Sequence, residues 1–195
     1  EKVAFPNLYG MRIGAMLFRP DGMAAEESRP AVIVGHPMGA VKEQSAVLYA
    51  TKMAERGFVT LAIDLPFWGA SEGEPRNAVS PDLYAETFSA AADFLGTRDF
   101  VDRERIGVIG ICGSGSFAIS AAKIDPRIYT VMGGFHLVMS PREEIVRVAD
   151  ALQNTLKVER VAPGHCTSEL GFSVLLDRYK DRFDRAGVGS IIALP

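Results

Sequence analysis

Histidine and cysteine are scarce in this chain: His36, His136 and His165 are its three histidines, and Cys112 and Cys166 its two cysteines, among 195 residues. Two cysteines cannot staple a chain of this length, so a disulfide scaffold is excluded and a reducing, cytoplasmic setting is expected. No apolar run approaches the roughly 20 residues of a bilayer-spanning helix, so no membrane partner is expected. Lysine and arginine never cluster into a dense run, and a formal net charge of −3 leaves no electrostatic footprint for nucleic acid. Internal repeats, low-complexity tracts and an opening secretory pattern are also lacking. What remains is an ordinary globular composition, 48% hydrophobic and 23% charged, and enough residues for one substantial core. Residues 1–195 are therefore read as a single domain.

Continuous apolar runs bounded by Gly or Pro predict strands over 12–18, 31–35, 59–63 and 106–111, buried on both faces. Helices are predicted over 44–56, 81–96 and 114–123, with Ser80 as cap and Pro81 in the first helical position of the second. The tail continues the rhythm, with strands at 128–133, 160–162 and 190–194 and helices at 141–156 and 168–185. Ile145, Val148, Ala149 and Leu152 form one apolar stripe at spacings of three and four. Strands alternating with helices predict an α/β fold, a three-layer αβα sandwich around a mostly parallel sheet.

The stretch Gly110-Ile111-Cys112-Gly113-Ser114-Gly115 carries the most chemistry. It joins the apolar run 106–109 to a helix of small residues. A nucleophile on a sharp strand-to-helix turn needs tiny neighbours two positions either side, because the backbone there is crowded. Gly110 and Ser114 meet that need and centre the turn on Cys112. A thiol at a helix N-terminus also faces the positive end of the helix dipole, which favours thiolate.

Other segments fall into order around this turn. His36-Pro37-Met38-Gly39 follows one strand, Asp64-Leu65-Pro66-Phe67-Trp68-Gly69 follows another, and Val101 to Gly107 leads into the turn. Over residues 5–128 this set resembles the α/β-hydrolase superfamily, in its dienelactone-hydrolase-like branch, where cysteine can replace serine. The resemblance implies ester or lactone hydrolysis with Cys112 as nucleophile and no cofactor. It also implies an oxyanion hole from the N–H groups of Met38 and Gly113, and a loop-fixing part for Asp64 and His36.

From Tyr129 onward a different likeness is read. Gly133-Gly134-Phe135-His136, Ala162-Pro163-Gly164-His165-Cys166 and Ala186-Gly187-Val188-Gly189 are similar to the C-terminal end of a metallo-β-lactamase-fold protein, nearest its pterin-linked phosphate synthases. That likeness implies that His136 and His165 are remnants of metal ligands. The chain is then expected to be a hybrid of a hydrolase-like segment 1–127 and a lactamase-like segment 128–195, with the seam at 125–131.

Three functional readings follow. The first is an engineered or recombined fold chimera without efficient catalysis. The second is a cysteine-dependent esterase or lactonase of low efficiency, acting on a small ester or lactone, with His165 or His136 as base. The third is an adventitious metal-binding protein through His136 and His165. Against full hydrolase activity, segment 129–140 offers no Asp or Glu to complete a triad, and Glu169 is only a distant partner for His165. Against metal catalysis, no His-x-His-x-Asp-His cluster occurs, and two histidines are too few for four-coordinate zinc. Trp68 and Phe67 are read as core cover and Cys166 most simply as an inherited small residue, although Cys112 or Cys166 added to the two histidines could build a weak adventitious site for zinc, copper or nickel. An unpaired sheet edge would favour a homodimer.

Overall fold

The structure, a computed structural model, describes residues 1–24, 26–122, 128–135 and 137–186. Among these residues one sheet is built from β1 (Lys2–Pro6), β2 (Arg12–Phe18), β3 (Arg29–Gly35), β4 (Val59–Ile63), β5 (Val101–Gly110), β6 (Ile128–Gly134) and β7 (Arg160–Gly164). Its order is β1-β2-β4-β3-β5-β6-β7. β1 and β2 run antiparallel to their neighbours, and β4, β3, β5, β6 and β7 are parallel. The mostly parallel α/β sheet expected from the sequence is therefore present.

Two strands differ from the apolar pattern. β1 was not expected, because only Phe5 of its five residues is buried. β5 begins five residues early, at Val101, which pairs with Arg29; the polar run Asp102 to Arg105 hides this start and falls in the register shift before Ile106 pairs with Ala31. The predicted final strand at 190–194 lies outside the described residues. Beyond β7, Phe183 and Ala186 make isolated bridges to Val161 and Gly164, partly covering that edge.

The helices are α1 (Ser45–Ala54), α2 (Pro81–Gly96), α3 (Gly113–Ala122), α4 (Arg142–Asp150) and α5 (Glu169–Tyr179). Pro81 opens α2 as predicted, although Ser80 makes no side-chain capping bond. The expected helix over 141–156 is instead α4 followed by a π-helical turn, Ala151–Thr155. Its apolar stripe still packs inward: Ile145, Ala149 and Leu152 are fully buried. The helix expected over 168–185 stops at Tyr179 and tightens into a short 3-10 turn, Lys180–Arg182.

Alternation along the strands sorts the core into two faces. Val32, Val34, Ala62 and Ile109 pack with α1 on one side. On the other, a register row runs across six strands, Leu17, Leu61, Ile33, Val108, Val131 and Val161, every member buried. Buried residues of α2, α3, α4 and α5 belong to the same apolar cluster as this row. The row crosses the expected seam without a break, from Val108 of β5 to Val131 of β6. Nothing in the sheet marks a change of architecture at 128, so the expected lactamase-like hybrid is not what the described residues build.

Candidate active site

The parallel strands β3, β5, β6 and β7 bring their C-terminal ends to one edge, where an open α/β sheet presents its site. Between β5 and α3 the chain turns through Cys112, whose φ is +57°. A non-glycine residue in that region is held there by its surroundings. Gly110 shows how tight they are: a Cβ on it would lie 2.5 Å from the backbone nitrogen of Gly115. The small residues flanking Cys112 are therefore a steric requirement of the turn. Ser114 adds a tether, its buried hydroxyl donating to the His36 carbonyl at 2.5 Å.

That tether fixes the loop after β3 against the start of α3. Met38 sits beside Gly113, where an added Cβ would approach the methionine Cγ to 2.6 Å. Amides at a helix start lack intrahelical partners and are ready donors. The two residues assigned to an oxyanion hole are thus neighbours.

His36 is fully buried and holds the loop. Its Nε2 accepts from the Leu65 N–H at 3.0 Å, so the ring proton sits on Nδ1, which donates to the Pro37 carbonyl at 2.7 Å. Burial pushes its pKa below the ordinary histidine value, and the ring is neutral. The structural part expected for His36 agrees with these bonds. Asp64, also buried, accepts from the Lys42 N–H at 2.8 Å, the Lys42 ammonium at 2.5 Å and the Ala70 N–H at 2.8 Å. Burial by itself would lower the Lys42 pKa, but hydrogen bonds to Asp64 and Glu43 outweigh it and the value rises. Ser71 donates to the Asp64 carbonyl at 2.8 Å and accepts from the Gly14 N–H at 2.9 Å. Phe67 and Trp68 pack against the core, and the Trp68 indole N–H donates to the Tyr84 hydroxyl at 2.7 Å.

After β7 the turn His165–Thr167 places the third element of the site. Buried Thr167 pins it, donating to the Gly164 carbonyl at 2.8 Å and accepting from the Phe135 N–H at 3.3 Å. The Val138 N–H donates to the Cys166 carbonyl at 3.1 Å. His165 has a φ of +41°, another strained position at this edge. The result is a cluster: the Cys112 sulfur, a ring nitrogen of His165 and the Cys166 sulfur all lie within 4.8 Å of one another.

This cluster redistributes the expected site residues. Cys112 and His165 come together; His136 lies outside the described residues. Cys166, read from the sequence as an inherited small residue or an added ligand of an adventitious metal site, belongs to the cluster. Its one sequence signal was its place beside His165 at the end of a predicted strand. No carboxylate joins the group among the described residues. Glu169, the distant partner considered for His165, is exposed and engaged by Arg185 at 3.2 Å. A thiol beside an imidazole is an arrangement suited to nucleophilic catalysis. Two sulfurs and one imidazole are also one ligand short of a closed zinc site.

Comparison with known proteins shows the family of the chain. The family described as "DLH: Dienelactone hydrolase family" matches residues 13–156. Protein PA2218 of Pseudomonas aeruginosa is 52% identical over 132 residues, 68% of this chain and 35% of its own length. The crystal structure of PA2218 superposes with a TM-score of 0.66 at 46% identity, over 80% of this chain and 46% of that one. The thiohydrolase aneE of Aspergillus aculeatus is 32% identical over 147 residues, 75% of this chain and 45% of its own length. The chain thus spans less than half the length of these relatives. An acetyl xylan esterase from Paenibacillus sp. R4 shares the fold alone, with a TM-score of 0.67 at 15% identity over 94% of this chain and 75% of that one.

These matches overturn the expectation of an engineered or recombined chimera. The family match runs through the supposed seam at 125–131 and ends at 156. The paired glycines of the tail have a cause in the packing across the sheet: Gly133 lies against the Gly110 backbone, and Gly134 lies against the Cys112 turn, where a Cβ would sit 3.3 Å from the Cys112 Cα. Glycine followed by histidine after a strand is too short a pattern to carry descent. With its fold, its strained cysteine turn and the family match over 13–156 in agreement, the chain belongs to the dienelactone hydrolase family.

Proposed function

We propose that this chain carries the nucleophilic site of an acyl hydrolase for small esters or thioesters. Cys112 Sγ attacks the acyl carbonyl while His165 takes the thiol proton. The N–H groups of Gly113 and Met38 receive the oxyanion. His165 returns the proton to the departing alcohol or thiol, leaving the acyl group on Cys112. Water, deprotonated by His165, then attacks this acyl-enzyme; the acid leaves and the Cys112 thiol is restored.

The observation that carries the reading is the φ of +57° at Cys112, with the His165 ring within 4.8 Å of its sulfur. Reactive geometry of this kind is often loose without substrate and tightens on binding. Thioesters enter the substrate class through aneE, which is a thiohydrolase by name. Apolar side chains beside the thiol suit a small acyl group: Met38 touches Gly113, and exposed Val138 belongs to the turn bonded to Cys166.

Release of p-nitrophenol from its acetate ester, and of free thiol from an S-acetyl thioester, tests the reading in the presence of chelator. Turnover by the intact protein that disappears in Cys112→Ala supports it. Equal rates in the two proteins would overturn it.

A further inference from the structure

Cys166 takes no step in the proposed acyl transfer, yet its sulfur shares the Cys112 cluster. Gly134 makes the approach available, because it lies under both residues. A Cβ there would be 2.7 Å from the Cys166 sulfur and 3.3 Å from the Cys112 Cα. Any other residue would press on the Cys166 sulfur and on the backbone of Cys112. Both cysteines are partly exposed, so a small solute reaches them.

We infer that Cys112 and Cys166 form a hydroperoxide-reactive thiol pair, a second chemistry of this site that ends in an intramolecular disulfide. Cys112 thiolate attacks the peroxide O–O bond. An S–O bond forms, the O–O bond breaks, and the departing oxygen leaves as alcohol or water after taking a proton. Cys166 thiolate then attacks the Cys112 sulfur of the sulfenic acid. The S–S bond forms as the S–O bond breaks, and hydroxide departs with a proton as water. Two thiols are oxidised by two electrons and one hydroperoxide is reduced. His165, beside both sulfurs, is placed to carry the protons. A disulfide needs its sulfurs about 2.05 Å apart. From within 4.8 Å, side-chain rotation into the space over Gly134 closes that distance while the turn pinned by Thr167 stays in place.

Disulfide formation removes the nucleophile, so the inference rests on the acyl-hydrolase reading for its effect on turnover. Its chemical test is independent of activity. The intact protein, reduced and freed of metal with chelator, is treated with hydrogen peroxide and analysed by intact mass and non-reducing peptide mapping. The expected product is a monomer lighter by two hydrogen atoms, with Cys112 and Cys166 peptides joined and neither thiol open to alkylation. Ester turnover is expected to disappear in step with the mass change and return on adding dithiothreitol. In Cys166→Ser the mass is instead expected to rise by one or more oxygen atoms on Cys112, and sulfinic acid formed there resists the reductant. Oxygen addition in the intact protein with Cys166 still alkylated, or covalent dimers in place of the internal bond, would overturn the inference. If the disulfide forms in a protein without ester turnover, the thiol pair stands and the acyl-hydrolase reading fails.

Discussion

The loops after β3 and β4 and the turns after β5 and β7 reach the same edge of the sheet, yet the two pairs hold their polar side chains in opposite ways. On the first side, His36, Lys42 and Asp64 are buried, and their hydrogen bonds run to the chain's own backbone, between Lys42 and Asp64, and from Lys42 to the Glu43 carboxylate. On the second, Cys112 and Cys166 are partly exposed, His165 is exposed, and their sulfur and ring-nitrogen atoms lie within 4.8 Å of one another. Buried polar groups must be paired to be tolerated, and pairing makes them rigid. Reactive groups must keep capacity for a substrate. The first side is thus the mould in which the second is set. Damage to the mould should appear as lost stability, damage to the thiol side as lost chemistry.

The sharpest way to separate the sides is to remove the reactive groups. Cys112→Ala is expected to lower ester turnover by on the order of 10³-fold or more, and His165→Ala by about 10²- to 10⁴-fold. Both should melt close to the parent temperature in a thermal scan, since neither side chain is a packed core group.

The opposite signature is expected for the buried ion pair. Lys42→Met leaves the Asp64 carboxylate buried without its cation and should cost about 3–5 kcal/mol in denaturant unfolding. Adding Asp64→Leu should recover much of that loss, because the unpaired charge goes with it. A double variant no more stable than the single one would show that the Asp64 bonds to Lys42 and Ala70 amides matter more than the charge pair.

Gly110→Ala probes the boundary between the two sides. Its Cβ meets the Gly115 backbone at 2.5 Å, so the turn must shift. An overpacking cost of about 1–3 kcal/mol is expected, together with reduced turnover, because the same shift displaces Cys112.

The smallest effect concerns acid. His36 has a folded pKa below its unfolded value near 6.5. The folded state therefore resists protonation, and its stability is full above 6.5 and declines as pH falls toward the lowered folded value. Protonation would also aim an Nε2–H at the Leu65 N–H that it now accepts from. Chemical denaturation at several pH values should show this decline, and His36→Asn should flatten it while lowering stability throughout.

Much of the fold was legible because buried parallel strands announce themselves as unbroken apolar runs. β2 and β4 match their predicted bounds, as does α2, whose Pro81 marks its start. β1 was hidden by its exposure, and the start of β5 by the mostly exposed charged residues of its register shift. Within the site, Cys112 could be read because a strained turn dictates small neighbours locally. His165 could be read only as one of two alternatives, beside His136, and its meeting with Cys166 and Cys112 could not be read, since both lie more than fifty positions beyond Cys112. The tail was misread for a related reason. Gly133 and Gly134 answer to Gly110 and Cys112 across the sheet, and that demand has no trace in the local sequence.

The amino-acid sequence by itself determined the alternation of strands and helices, the apolar rows of the core and the turn centred on Cys112. Each of these depends on residues within a few positions of one another, through periodicity or steric crowding. Only the tertiary structure decided the sheet order, the closure of the Lys42–Asp64 pair and the meeting of Cys112, His165 and Cys166. These depend on where the ends of separate strands are brought together, and that placement is set by the packing of the whole sheet.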